Sequence, residues 1–205
     1  MKEGFEWVDV FSFDPDTMAS ITPEILQARS LIFLFPLSSN SKEIGTIALE
    51  ADVIFMKQTI ENACGTIAML HSLLNDPDIV KESSLIATLR DGMLHETSPL
   101  ARAKLLEENH RVRDLHASFA VQGSTEAPEA QCDVDSHFVA YIRSAGGLLY
   151  ELDGRKEGPT LFQVANEAGD FFVDCCGIIQ EKYIGDKEDI QVSAMALVLS
   201  PTYLQ

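Results

Sequence analysis

The chain has 205 residues, 46% of them hydrophobic and 23% charged, which suits one large globular domain or two small ones with a sizeable core. Its 32 acidic residues against 15 basic ones leave a formal charge of −17, which disfavours nucleic acid and anionic lipid as partners and favours a basic protein or peptide. No apolar run approaches the roughly 18 residues of a membrane span, and the N-terminal MKEGFEWVDV lacks the apolar stretch of a secretory signal, so a cytoplasmic (or nuclear) protein is expected.

Residues 5–13 (FEWVDVFSF) alternate roughly and predict a short strand. Asp14-Pro15-Asp16 then opens a short helix, with aspartate as N-cap and proline in the first turn. Residues 31–36 (LIFLFP) are apolar on both faces, as a central strand would be. A polar loop over 38–46 precedes another apolar stretch, VIFM, at 53–56. From Ala63 to Leu74 the apolar residues Ile67, Leu70, Leu73 and Leu74 share one broad helical face, and Asn75-Asp76-Pro77-Asp78 ends it. A second helix is predicted over 83–95. Ser98-Pro99 starts a third, continuing through ARAKLLEENHRVRDLHASF. Residues 118–133 are small and polar, without period, and a loop of that length is usually functional or disordered. A hairpin follows, SHFVAYI and LLYELD around SAGG, then an amphipathic helix over 161–183 and a strand over 190–199. The mixed order, with hairpins late in the chain, predicts an α+β fold.

The four cysteines, Cys64, Cys132, Cys175 and Cys176, form no CxxC and no zinc-type cluster with histidine, so no metal or cofactor is expected and the thiols should be free. Cys175 and Cys176 sit in an apolar helical stretch and read as core. Cys64 opens a helix, with Asn62 as its expected N-cap. The positive helix end favours a thiolate there, and Gly65 leaves room for a substrate backbone. Gln58, in the loop entering that helix, can aim an amide N–H at the oxyanion that the Cys64 N–H would also face. His137 and Asp153 flank the hairpin. With the turn centred near Ala145 they stand directly opposite, about 4.5–5.5 Å apart at Cβ, so that the carboxylate can hold Nδ1–H and leave the other nitrogen for the thiol. Taken alone, each also has a plainer reading: a buried structural cysteine, a polar loop glutamine, a cross-strand polar pair. His71 lies inside the helix of Cys64, and His95, His110 and His116 lie in charged helical stretches, which makes them weaker candidates.

Two segments carry a family resemblance. FMKQTIENACGTIAMLHSL resembles the glutamine–cysteine motif of the ubiquitin C-terminal hydrolases, and VDSHFVAYI…LLYELDGRKEGP resembles their histidine and aspartate strands. VDVFSFDPD and the STEAP stretch also match, so the resemblance runs from about Trp7 to the last strand. It implies a single catalytic domain over residues 1–205 with papain-like architecture, a central, mostly antiparallel sheet flanked by helices. By position, Cys64 would be the nucleophile, His137 the general base and acid, Asp153 its orienting group and Gln58 the oxyanion donor. The substrate would be small adducts or unfolded extensions on the C-terminal glycine of ubiquitin, with a crossover loop at about 118–133 restricting the leaving group. Ubiquitin's tail carries arginines before its terminal glycines, which suits an acidic surface, and Asp9 is a candidate acidic contact. The resemblance implies a monomer with no cofactor. Family members begin further upstream, with a segment that contacts ubiquitin and helps knot the backbone, so a truncated, incompletely knotted form is expected. Two alternatives stay open: a protease for a ubiquitin-like modifier, and a poorly active ubiquitin-binding protein.

Overall fold

The apolar run at 31–36 lies at the heart of a seven-stranded sheet in this computed structural model, which describes residues 1–38, 41–49, 52–114, 135–163, 169–187 and 190–203. The strands are β1 (Phe5–Val10), β2 (Ser30–Pro36), β3 (Thr46–Ile47), β4 (Ser136–Arg143), β5 (Leu149–Leu152), β6 (Thr160–Phe162) and β7 (Ser193–Leu199). Their order is β1-β7-β2-β4-β5-β6-β3, and every pairing is antiparallel. The helices are α1 (Pro15–Ile21), α2 (Cys64–Leu74), α3 (Leu85–Leu94), α4 (Pro99–Glu108) and α5 (Phe171–Ile179).

β2 is buried on both faces because each face meets a different core. Leu31, Phe33 and Phe35 point with Val139, Tyr141 and Leu149 toward α1 and α5. Ile32 points with Ala140, Ile142, Tyr150 and Leu152 toward α2, where Ala68 packs. The far side of α2 closes a third core, Ile67, Leu70 and Leu74 against Leu89, Met93 and Leu106 of α3 and α4. The helix that opens at Cys64 is thus held on two sides, which fixes its N-terminus relative to β4. Among the described residues, no helix is long and apolar enough to cross a membrane.

Several local expectations shift. The predicted third helix ends at Glu108, and Asn109 interrupts it. The Asn109 side chain accepts from the N–H groups of Arg111 and Val112, capping a new helical segment at 110–114. The helix expected over 161–183 starts only at Phe171, because Thr160–Phe162 joins the sheet as β6 and Asp170 caps the helix by accepting from Phe172 and Val173. Asp14 precedes α1 as expected, but its carboxylate accepts from the Thr17 hydroxyl and caps no backbone N–H. VIFM is buried throughout yet pairs with no strand. Asn75 exchanges hydrogen bonds with both backbone groups of Ile54, Nε2 of His71 accepts from the Met56 N–H, and Arg102 donates to the carbonyls of Val53 and Phe55. Side chains satisfy backbone groups that a ladder would otherwise have to satisfy.

Candidate active site

Cys64 is the first residue of α2 and is partly exposed. Asn62 is not its cap. Asn62 takes a φ of 55°, Ala63 holds the cap position, and no side chain caps the helix. A left-handed turn just ahead of the helix suits asparagine, and it leaves the first N–H groups of α2 open around the thiol. Gly65 faces the ring of Phe138, which a Cβ at that position would meet at 3.4 Å, an ordinary van der Waals contact, so the packing of α2 on β4 does not itself require glycine.

His137 is buried on β4, edge-on to Phe35 with ring centroids 5.8 Å apart. Its Nε2 lies 2.7 Å from Asp153 Oδ1, and the same oxygen accepts from the Arg155 N–H at 2.9 Å. The register differs from expectation by one turn position. Gly147, with φ 85°, moves the hairpin tip onward, so Ala140 pairs with Leu152 and Asp153 falls diagonal to His137 on the same face. The diagonal step is longer than the direct one, and the distal nitrogen spans it. That reverses the expected ring orientation, because Nε2 serves Asp153 and Nδ1 is left for the thiol.

The charges reinforce one another. Burial opposes ionisation of Cys64, but hydrogen bonding to the His137 ring and to the N–H groups of Phe138 and Gly65 outweighs it and lowers the thiol below its ordinary value. Burial likewise opposes the His137 imidazolium, yet Asp153 and Cys64 raise it to about 9. Asp153 is lowered despite burial by His137, by the Arg155 N–H and by Lys156. Both shifts favour a thiolate–imidazolium pair backed by a carboxylate.

Gln58 is tied to the Asp153 segment. Its backbone N–H donates to the Gly154 carbonyl at 2.8 Å, and its side-chain amide donates to the Ile60 carbonyl at 3.2 Å. One side-chain N–H remains to donate, and the side-chain oxygen is buried without a partner. A Cβ on Gly154 would lie 2.9 Å from Gln58 Cβ and 3.1 Å from its backbone nitrogen, so only glycine permits this approach. Lys57 completes the stitch by donating to the carbonyls of Arg155 and Lys156 and to the Glu157 carboxylate. Asp9 is exposed on β1. Its register row, Met195–Ile32–Ala140, places it about 14 Å from β4 across three strand spacings. The crossover loop expected at 118–133, and with it Cys132, lies outside the described residues. Cys64, Cys175 and Cys176 are free thiols. Burial raises both Cys175 and Cys176, the latter to about 12, as core thiols should be.

Sequence reasoning missed His71. It is fully buried, stacks on Phe55 at 5.3 Å, and bonds the Met56 N–H two residues before Gln58. Burial holds it neutral, lowered to about 4. Its position with Ile67, Leu70 and Leu74 in one apolar stripe was the available signal, since a polar residue there must find a buried partner.

The comparisons with known proteins agree with this geometry. The family model described as ubiquitin carboxyl-terminal hydrolase, family 1, matches residues 1–183. The chain is 34% identical to an Aplysia californica ubiquitin carboxyl-terminal hydrolase, across 92% of this chain and 88% of that protein. It is 31% identical to the Macaca fascicularis isozyme L1, across 94% and 87%. Its fold resembles Trichinella spiralis UCH37 bound to ubiquitin vinyl methyl ester, with a TM-score of 0.69 and 25% identity, covering 95% of this chain and 72% of that one. With a matching family model over most of its length and a thiol, an imidazole and a carboxylate brought together, the chain belongs to the ubiquitin carboxyl-terminal hydrolase family of cysteine peptidases.

Proposed function

We propose that this protein hydrolyses small adducts or unfolded extensions from the C-terminal glycine of ubiquitin, with Cys64 as nucleophile, His137 as acid and base, Asp153 as its orienting group and Gln58 as oxyanion donor. The observation that carries the reading is the continuous chain from the Cys64 thiol through the His137 ring to Asp153. The thiolate adds to the carbonyl carbon of the terminal glycine. The developing oxyanion meets the open N–H of Cys64 and the remaining amide N–H of Gln58. His137 Nδ1–H gives its proton to the leaving amine, the C–N bond breaks, and a thioester remains. Nδ1 then takes a proton from water as the oxygen attacks the thioester, which releases the carboxyl product and restores the thiolate–imidazolium pair. Asp153 keeps the ring in place throughout. Asp9 is proposed as a contact for a more distant part of the substrate, because about 14 Å is several extended residues at ~3.3 Å each. The chain is read as one catalytic domain acting as a monomer, in a reducing compartment such as the cytoplasm.

Labelling with ubiquitin vinyl methyl ester and release of a fluorophore from the ubiquitin C-terminus test the reading together. Wild-type protein should label and turn over, and Cys64→Ser should do neither. Turnover by Cys64→Ser sinks the nucleophile assignment. Turnover only with a ubiquitin-like modifier moves the substrate to that modifier. Ubiquitin binding without labelling makes the protein a binder.

A further inference from the structure

We propose that Lys156 is a positioning residue of this site. Its ammonium, anchored on a buried carboxylate, locks the turn that carries Asp153 and places a fixed positive charge near the Asp153 end of the catalytic groups. The inference rests on the catalytic reading above.

Glu151 lies two residues before Asp153 on the same sheet face and is wholly buried. Lys182 donates to both of its oxygens at 2.7 Å, and the hydroxyls of Tyr141 and Tyr183 donate at 2.8 and 3.0 Å. These partners already neutralise and largely satisfy the carboxylate. Lys182 is itself enclosed, with the rings of Tyr183 and Phe162 beside its ammonium. Lys156 nevertheless adds a second ammonium, 3.0 Å from Glu151 Oε1 and 3.2 Å from Thr160 Oγ1. One carboxylate facing two ammoniums leaves a surplus positive charge. The catalytic thiolate, imidazolium and Asp153 carboxylate together leave a surplus negative one.

Lys156 connects the two groups through its backbone as well. Its N–H donates to the Asp153 carbonyl at 2.9 Å, and its carbonyl accepts from Lys57, the neighbour of Gln58, at 2.9 Å. One residue therefore ties the buried cluster, the Asp153 turn and the Gln58 loop. Burial opposes the Lys156 charge, but Glu151 and Asp153 outweigh it, so the ammonium stays protonated well above neutral pH.

A fixed positive charge favours the thiolate and disfavours the imidazolium. Removing it should therefore raise both titrations. The test is the pH dependence of Cys64 alkylation by iodoacetamide, with the pH profile of kcat/KM, in the full chain. In Lys156→Met and Lys156→Gln both limbs should move up by about half a pH unit, and kcat should fall more than KM changes. Lys156→Arg should restore the wild-type limbs. Glu151 keeps Lys182 and two tyrosines in each variant, and Lys156→Gln also keeps a donor to it, so the fold should persist. Folded neutral variants that lose melting temperature while both limbs stay in place overturn the proposal and leave Lys156 a structural residue. A wild-type Cys64 that titrates as an ordinary thiol overturns the catalytic reading itself, a separate result.

Discussion

Gln58 shows how much one side chain's placement depends on a neighbour without a side chain. The glutamine is held by a backbone bond to Gly154, and Gly154 has no room for a Cβ against it. Gln58→Ala should lower kcat by roughly 10²–10³ with little change in KM, as loss of one oxyanion donor does. Gly154→Ala should act in the same direction but less, about tenfold, by pushing the Gln58 backbone off its position. Steady-state kinetics on a fluorogenic ubiquitin substrate separate the possibilities, and a KM effect with normal kcat in Gln58→Ala would make Gln58 a substrate-positioning residue. Cys64, His137 and Asp153 were legible as candidates because helix starts and hairpins leave local marks in sequence, and Gln58 through the family resemblance of its segment. The left-handed Asn62 and the ring orientation of His137 were not. The ring orientation depends on where a hairpin tip falls, and one glycine, Gly147, decided that.

At the scale of elements, the buried 53–56 segment is the unusual one. It approaches the site as irregular backbone, and its polar groups are met by His71, Asn75 and Arg102 from three places in the chain. His71 supplies both a stacked ring and an acceptor. His71→Phe would keep the stacking on Phe55 and strand the Met56 N–H in the interior. The expected cost is about 1–3 kcal/mol of stability, read as a lower urea midpoint at unchanged m-value. A loss within about 0.5 kcal/mol, the ordinary range of surface changes, would mean that the segment finds another acceptor. Periodicity marked VIFM as apolar but could not tell strand from irregular core, because the partners that replace the ladder lie far off in sequence.

For the whole molecule, pH links the fold to its buried groups. Below pH 6.5 the unfolded chain protonates His71, whereas the folded chain refuses that proton until about pH 4. The stability that neutral His71 contributes is therefore complete above pH 6.5 and is lost as pH falls toward 4, roughly 3 kcal/mol in all. Urea midpoints should fall across that window in the wild type and fall less in His71→Phe; parallel curves would remove His71 from the acid response. On the alkaline side Cys64 releases its proton early and His137 keeps its proton late, so their linkages oppose and the dyad contributes less slope.

Sequence alone determined the α+β class, the central place of the 31–36 strand, the helix opening at Cys64 and the hairpin that joins His137 to Asp153, because each depends on local periodicity, caps and turns. Only tertiary structure decided which imidazole nitrogen meets the carboxylate, what satisfies the 53–56 backbone, and that Lys156 and Lys182 share Glu151. Those outcomes depend on register and on contacts between residues far apart in the chain, where a shift of one position changes which polar atoms meet.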